Sequence, residues 1–316
     1  MKIAELFGKG KTVFSCEVFP PKKDSPVDTI YQTLDGLKDI KPDFISVTFG
    51  AGGSQVNQST REIAAIIQKQ YHIPAMAHLT CITATRGEVT ELLYDLKADG
   101  VENVLALRGD RNPDYPPKTE FLHADELVAF IRRRGDFGVS AACYPEGHPE
   151  SPDAVSDLRY LKQKVDAGAQ HLVSQLFFDN EDFLRFLERA RIAGITVPIE
   201  AGIMPVLNQK SIERMVSLCG ASIPRKLSRI LARYGDHPEA LREAGIRTQL
   251  YTENKKFKQK IGYADKLGIP YVIFLGEDEI AGGVVACKDM ATGEQTKLEP
   301  AATIYRIKAG LAERET

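Results

Sequence analysis

The stretch Cys16-Glu-Val-Phe-Pro-Pro-Lys22, which ends the first apolar run, decides between two candidate folds. A doubly wound dinucleotide-binding sheet would place a GxGxxG turn directly after its first strand. Here a glutamate and two prolines occupy that position, and the first glycine cluster, Gly50–Gly53, lacks the required spacing. The stretch therefore argues against a dinucleotide-binding sheet and favours an α/β barrel.

Short apolar runs recur along the chain at intervals of about thirty residues, the length of one βα unit. Amphipathic segments such as Ser59–Tyr71 and Asp157–Ala167 separate them and predict helices. Several runs are continuously apolar, which is typical of parallel strands buried on both faces. The predicted strands lie in runs that begin at Thr12, Asp43, Ile73, Glu102, Gly138, Gln170 and Val197.

Polar residues stand at the carboxyl ends of six of these predicted strands. In a parallel barrel those ends meet on one face, where such enzymes hold their chemistry. Ends of six strands converge only if the sheet closes, so the sequence predicts a (β/α)₈ TIM barrel with a small α/β C-terminal extension. The polar residues are Glu17, Thr48, His78, Arg108, Gly109, Asp110, Tyr144, His148 and Gln175.

Composition excludes several functional classes. The 316 residues are 43% hydrophobic, and a formal net charge of −2 argues against a general nucleic-acid binder. The five cysteines form no CxxC pair and the histidines show no HxxxH or HxH spacing, so neither a disulfide framework nor a metal site is expected. Without a secretion signal or an apolar run of ~20 residues, a cytoplasmic protein without membrane contact is expected.

Glu17 is the first candidate for chemistry. It ends an apolar strand and precedes Phe19-Pro-Pro21. These neighbours are expected to desolvate the carboxyl group and to raise its pKa towards the range that suits a general acid. The competing interpretation is a carboxylate in a surface turn.

The residues that follow the fourth and fifth strands suggest a site for a phosphate and a ring. Gly109 lets the backbone approach a ligand, and the Arg108 guanidinium can donate two hydrogen bonds to a phosphate. The Asp110 carboxylate can accept from two donors that lie in one plane. Tyr144 and His148 can flank an aromatic ring and a pyrophosphate. The competing interpretations are an Arg–Asp pair in a loop and an ordinary proline-bounded turn.

Three further residues become candidates only in context. Asp157 and Lys164 are seven residues apart on one helix face, which by itself indicates a solvated surface. Gln175 ends the sixth strand beside Phe177 and Phe178. A glutamine buried there needs a partner, which a ligand can supply, whereas the two aromatic rings are equally consistent with core.

Taken in order, these motifs resemble the methylenetetrahydrofolate reductase family over about residues 1–246. The resemblance implies a barrel that binds FAD, takes hydride from NADH or NADPH, and reduces 5,10-methylenetetrahydrofolate to 5-methyltetrahydrofolate. It is carried by CEVFPPK, SVTFGAGGS, HLTC, LRGD, AACYPEGHPE, KVDAGAQHLVSQLFFD and GIMPVLN.

The resemblance also implies roles for individual residues. Glu17 would be the general acid that protonates N10 of the folate, which opens the imidazolidine ring to an iminium. Asp110 would contact the pterin ring and adjust the electrostatic surroundings of the flavin. Gln175 would contact the folate. Gln209 stands where some relatives have a phenylalanine that packs on the nicotinamide or folate. The residues expected to line the FAD are Thr48, His78, Arg108, Gly109, Tyr144, His148, Asp157 and Lys164.

After Ile246 the resemblance changes, because Arg247–Leu298 resembles the anticodon-binding domain of histidyl-tRNA synthetases. This implies a fusion with a flavin-binding barrel over residues 1–253 and an appended α/β segment over 254–316. Residues 247–316 hold eleven basic and ten acidic side chains, so their near-neutral charge does not favour nucleic-acid binding.

Two segments compete for the eighth barrel strand. Arg247–Thr252 is preferred because it follows the preceding helix directly, with a helix expected over Lys255–Leu267. Pro270–Leu275 is more apolar. If the first segment closes the barrel, a small appended sheet is expected over Pro270–Leu275, Val284–Lys288 and Gln295–Leu298, with turns at Gly282–Gly283 and Thr292–Gly293.

The sequence leaves other functions open. A chimera that folds and binds flavin without turnover is one alternative, and an RNA-binding module built on the synthetase-like segment is another. The choice between NADH and NADPH is open, and so is assembly into a homo-oligomer.

Overall fold

A computed structural model describes two compact units, Met1–Met204 with Leu218–Ser222, and Pro205–Ser217 with Ile223–Thr316. Among the residues described, no helix combines the length and apolar character that a membrane crossing requires. The predicted domain boundary between residues 253 and 254 lies outside the described residues. Those residues are 1–21, 28–49, 58–111, 116–204, 212, 215–217, 219–225, 227–228, 269–274 and 282–314.

The first unit confirms the predicted alternation of strands and helices. Seven parallel strands form one sheet in the order of the sequence, and each predicted apolar run contains one of them. The strands are β1 Ser15–Val18, β2 Phe44–Val47, β3 Ala75–Thr80, β4 Asn103–Leu107, β5 Gly138–Cys143, β6 His171–Ser174 and β7 Ile199–Glu200.

Among residues 1–204, the described parts of the chain hold six α-helices beside these strands, and side-chain caps mark where some of them begin. The Thr85 hydroxyl accepts from the Glu88 backbone N–H, while the Glu88 carboxylate accepts from the Thr85 N–H. Such caps satisfy backbone donors that a helix start leaves unpaired. The helices are α1 Asp28–Lys38, α2 Gln58–Lys69, α3 Arg86–Ala98, α4 Ala124–Arg134, α5 Ala154–Asp166 and α6 Asn180–Ile192.

Alternate residues of each strand face opposite sides of the sheet and pack in two separate hydrophobic clusters. Residues on the outer face pack against the helices, as Ile45, Leu79 and Val104 do. On the concave face, Phe44, Met76 and Leu105 pack with a short 3₁₀ helix, Ile3–Leu6, at the start of the chain. This alternation follows from the two-residue period of a strand and places the polar residues of the site on the concave face.

One side-chain hydrogen bond shows that the sheet curls. Ser15 Oγ on β1 donates to Glu200 Oε1 on β7 at 2.7 Å, although these strands stand at opposite ends of the sheet order. A flat sheet would hold its outermost strands far apart, so the seven strands form a curled half-barrel. The segment Arg247–Thr252, predicted as the eighth strand, lies outside the described residues.

The second unit contains the appended sheet that the sequence predicts. Strands β8 Tyr271–Phe274, β9 Val285–Asp289 and β10 Gln295–Leu298 are antiparallel in the order β10-β9-β8. The alternative that assigns Pro270–Leu275 to the parallel barrel is therefore wrong. A helix that the sequence analysis did not predict follows, α7 Pro300–Arg314. The predicted helix Lys255–Leu267 lies outside the described residues.

Candidate active site

Glu17 lies with two polar partners at the carboxyl ends of the first three strands. The β1–β2 register sets Glu17 opposite Ser46, whose Oγ donates to Glu17 Oε2 at 3.2 Å. His78 Nε2, from β3, lies 3.3 Å from the same oxygen. Within the described parts of the chain this buried Nε2 has no full hydrogen bond, so its interaction with Glu17 is a close electrostatic contact.

The pKa of Glu17 shifts in the direction opposite to the prediction. Burial raises this pKa, but the polar contact and charge of His78 and the hydrogen bond from Ser46 outweigh burial and hold it below its usual value. The predicted raised pKa is wrong because only the neighbours in sequence were considered. The decisive partners come from two other strands, and they favour the ionised carboxylate.

Arg108 is paired with a glutamate that the sequence analysis did not select. Its guanidinium donates to both carboxylate oxygens of Glu150, at 2.6 and 2.7 Å. This pairing lowers the pKa of Glu150 to about 2. The competing interpretation of an Arg–Asp pair in a loop is wrong in its partner, since the Arg108 guanidinium pairs with Glu150 rather than Asp110. Glu150 is the last residue of the quoted run AACYPEGHPE, and a second carboxylate beside an arginine was the available signal.

Gly109 allows the end of β4 to lie close to β3. Its φ of +90° favours glycine, and an added Cβ would stand 3.0 Å from Thr80 Cβ and 3.2 Å from Ile82 Cγ2. Thr80 Oγ1 is buried here, and no described residue is its hydrogen-bond partner. A buried polar atom of this kind is a group that a ligand can satisfy.

Tyr144 and His148 form an aromatic corner after β5. Their rings meet edge to face with centroids 4.7 Å apart, and His148 Nδ1 accepts from the Glu150 N–H at 3.0 Å. Burial raises the pKa of Tyr144 to about 12, and the charge of exposed Asp110 adds to this rise. Burial and the charge of Arg108 lower the pKa of His148. The residues that follow β4 and β5 therefore form one electrostatic group.

Asp157 and Lys164 both point from α5 towards the strand ends. Asp157 Oδ1 accepts from Ser151 Oγ at 2.7 Å and from the His148 N–H at 3.2 Å. Lys164 Nζ donates to the Ala142 carbonyl at 2.9 Å, and burial lowers its pKa. The interpretation as a solvated helix face is wrong for these two residues.

Gln175 and Thr48 use their polar groups mainly within the fold. Gln175 is half-buried, and its Oε1 accepts from the Leu176 N–H at 2.9 Å, so this oxygen does not depend on a ligand. The Thr48 N–H donates to the Val18 carbonyl at 3.0 Å, and the Thr48 carbonyl accepts from Thr60 Oγ1 at 2.9 Å. Both residues lie at strand ends, as predicted.

Phe177, one of the two aromatic residues beyond Gln175, packs against a helix. Phe177 stacks on Phe183 of α6, with centroids 4.6 Å apart and nearly parallel planes. This contact favours the interpretation of Phe177 as packing between a loop and a helix.

A cleft of about 270 Å³ opens between α5, α6 and the loop after β5. Arg189 at its edge donates to the Pro145 carbonyl at 2.9 Å. The contribution of α6 was not predicted, because nothing in the sequence of an amphipathic helix marks which polar residues border a cleft. The lining includes Tyr144, Asp157, Leu158, Asp182, Phe186 and Arg189.

A second polar cluster on the concave face was also missed. His171 Nδ1 lies 3.0 Å from Ser140 Oγ, its Nε2 lies 3.5 Å from Glu200 Oε2, and its ring stacks on Phe7. Burial lowers the pKa of His171 to about 4. The available signal was a charged residue, Glu200, inside the otherwise apolar run VPIEAGIM.

Comparison with known proteins identifies two family matches. The profile described as methylenetetrahydrofolate reductase matches residues 2–262, and that described as anticodon binding domain matches residues 223–309. A probable methylenetetrahydrofolate reductase (NADH) from Oryza sativa subsp. japonica is 40% identical over 265 residues, 78% of this chain and 44% of the relative. The chain thus spans about half the length of the plant relatives that it matches.

A bacterial relative and one solved structure extend the comparison. The 5,10-methylenetetrahydrofolate reductase of Escherichia coli (strain K12) is 37% identical over 237 residues, 75% of this chain and 79% of the relative. An uncharacterized protein from Clostridium thermocellum that binds two copies of 5-methyl-5,6,7,8-tetrahydrofolic acid aligns with a TM-score of 0.51. It covers 82% of this chain and 86% of its own at 15% identity, so it supports the fold alone.

Proposed function

We propose a folate-reducing activity for this chain, which belongs to the methylenetetrahydrofolate reductase family. Its reaction would convert 5,10-methylenetetrahydrofolate to 5-methyltetrahydrofolate, with FAD as bound cofactor. The plant relatives are named as NADH enzymes, which supports NADH as the hydride source. The observation that carries the proposal is Glu17, held by Ser46 and His78 where three strands end.

The donors and acceptors around this point fit a flavin. Thr80 Oγ1 and His78 Nε2 are buried polar atoms that find no hydrogen-bond partner among the described residues, and Gly109 stands where a Cβ would crowd β3. When bound, FAD would accept hydride from NADH and return it to the one-carbon unit of the folate. The residues that would hold it are Thr48, His78, Arg108, Gly109, Tyr144, His148, Asp157 and Lys164.

Glu17 would supply the proton that the folate N10 needs. Since its pKa is lowered, the carboxylate must first take up a proton. Loss of the remaining water around this half-exposed side chain on substrate binding would raise the pKa and favour the protonated form. His78 and Ser46 hold the carboxylate in place while its protonation state changes.

Two other side chains would orient the folate. Asp110 follows β4 with an exposed carboxylate, which suits it to accept from the paired N–H groups of a pterin ring. Gln175 follows β6, and its amide group stands at the same end of the sheet. Neither residue needs to move a proton in this scheme.

The experiment that tests the proposal separates the two half-reactions of Glu17→Gln by stopped-flow absorbance. Reduction of the flavin by NADH should continue, because it needs no acid. Folate reduction should fall by ~10²–10⁴-fold, the usual worth of general acid catalysis. Glu62→Gln, on the exposed face of α2, is the matched control and should change neither rate. Equal losses in both half-reactions would make Glu17 a structural residue.

The anticodon-binding match supports a second candidate function, RNA binding by residues 223–309. A titration with histidine tRNA at low salt tests it, and a flat curve would remove it. An inactive flavin-binding chimera would instead give a yellow protein that oxidises no NADH in the presence of folate.

A further inference from the structure

A second carboxylate lies on the concave face close to Glu17. Ser15 and Glu17 are two residues apart on β1, so both face the same side of the sheet. Ser15 Oγ donates to Glu200 Oε1 at 2.7 Å. Glu200 is thereby held against Ser15, whose Cα lies roughly 7 Å along β1 from that of Glu17. Its side chain is only 12% exposed.

The groups that face Glu200 leave its negative charge without a strong cation. From β6, His171 Nε2 lies 3.5 Å from Glu200 Oε2 and has no hydrogen-bond partner in the part of the chain that the structure describes. From β1 come the neutral Ser15 and the acidic Glu17, and His78 of β3 faces Glu17. No lysine or arginine in the described part of the chain forms an ion pair with Glu200.

We propose that Glu17 and Glu200 titrate as a coupled pair across the concave face and hold one proton between them where a lone glutamate would be ionised, so that Glu200 acts as a positioning residue whose negative charge favours the protonated form of Glu17. This inference rests on the proposed function, because it concerns the acid of the folate step. A protonated Glu200 can donate through Oε2 to His171 Nε2, which gives that buried nitrogen its missing partner. His171 Nδ1–H then donates to Ser140 Oγ, 3.0 Å away.

The electrostatics support this division of the proton. Burial raises the pKa of Glu200 and the charge of Glu17 raises it further, whereas the pKa of Glu17 is lowered. His171, with a pKa of about 4, is neutral at neutral pH and cannot offset an ionised Glu200. Two carboxylates in one site do not ionise together readily, so the pair holds its last proton to a higher pH than a lone glutamate would.

The first test is the pH profile of the folate half-reaction in Glu200→Gln. The amide keeps the shape of a protonated glutamate but removes the second charge. The fall in rate towards alkaline pH, the alkaline limb of the profile, should therefore occur about one pH unit lower than in the wild type. At a given pH within that fall, the folate half-reaction should be roughly tenfold slower. Flavin reduction by NADH should keep its profile. Glu200→Asp should restore part of the shift, and Ser46→Ala should move the limb upward, because it removes a bond that favours ionised Glu17.

The second test needs no turnover. Infrared titration of the wild-type protein should show a protonated carboxyl band at pH values where an ordinary glutamate, of pKa about 4.3, is ionised. That band should be absent from Glu200→Gln and altered in Glu200→Asp. An unmoved alkaline limb in a folded variant, or no such band in the wild type, would overturn the proposal. Loss of folate activity with the band present would instead count against the proposed function.

Discussion

At the scale of single residues, Lys164 should contribute strongly to flavin retention. It is buried and lies 2.9 Å from the Ala142 carbonyl, so its charge would be best satisfied by a nearby anion. A hydrogen bond to a charged group is worth about 1.5–3 kcal/mol, so Lys164→Ala should weaken flavin binding roughly tenfold or more. Flavin content after dilution and gel filtration measures this.

The control for that experiment lies on the same helix. Lys162 pairs with Asp166 near the surface, and Lys162→Ala should leave flavin content unchanged. If both variants retained flavin as the wild type does, Lys164 would have no part in holding the cofactor.

Single residues also show what the sequence could and could not provide. The position of Glu17 at a strand end was predictable, because it follows directly from the apolar run before it. The direction of its pKa was not, because Ser46 and His78 are distant in sequence and meet it only through the strand register. The same reason hid Glu150 and Glu200.

At the scale of elements, the start of α3 depends on the reciprocal cap between Thr85 and Glu88. Thr85→Ala should cost about 1 kcal/mol, the usual value of an N-cap side chain. Thr90→Ala, which removes a mid-helix hydroxyl bonded to the Arg86 carbonyl, is the matched control and should cost close to nothing. Urea midpoints at an unchanged slope measure both effects. Equal costs would show that the cap is not what stabilises the start of the helix.

Periodicity predicted which elements exist but not their lengths. The run from Val197 yields a strand of only two residues, Ile199–Glu200. Beyond it, the Gly202 N–H donates to Ser174 Oγ rather than to a backbone carbonyl of β6. An added Cβ at Gly202 would stand 2.2 Å from the Ser174 carbonyl oxygen, so the backbones approach closely at this point. A side chain that accepts a hydrogen bond in place of the neighbouring strand cannot be recognised from the pattern of apolar residues.

At the scale of the whole molecule, buried His171 should make stability fall with acid. Its pKa is about 4 in the folded protein, below the ordinary 6.5, so the unfolded chain binds more protons between these values. The contribution of neutral His171 to the free energy of unfolding is then fully present above pH 6.5 and is lost as pH falls towards 4. At pH 5 the loss is roughly 2 kcal/mol. His171→Asn should reduce the change of the thermal unfolding midpoint between pH 7 and pH 5. A slope equal to that of the wild type would contradict this assignment.

Glu150 should act in a separate, more acidic window. Its pKa is about 2 because of Arg108, so its contribution is present above the ordinary value of 4.5 and is lost as pH falls towards 2. The side chain is 47% exposed, so solvent screening limits this contribution to about 1 kcal/mol or less. Glu150→Gln should remove the loss of stability between pH 4.5 and 2, which acid titration of the circular dichroism signal measures. An unchanged acid transition would mean that the Arg108–Glu150 pair contributes nothing to folding.

The two-unit organisation was partly predictable. The change of motif after residue 246 and the glycine turns near residues 282 and 293 predicted a small appended sheet, which the structure confirms and shows to be antiparallel. The order of the motifs also predicted that the carboxyl ends of the parallel strands lie on one face of the sheet. The closing strand could not be decided from sequence, because Ile246, Thr248 and Leu250 give only one weakly apolar face.

The visible absorption spectrum of the purified full chain, followed under anaerobic conditions, tests the central claim most directly. We expect FAD bands near one flavin per chain, bleaching on addition of NADH, and recovery on addition of 5,10-methylenetetrahydrofolate. A colourless protein that also fails to take up added FAD would contradict the account. So would flavin bands that NADH bleaches and the folate fails to restore.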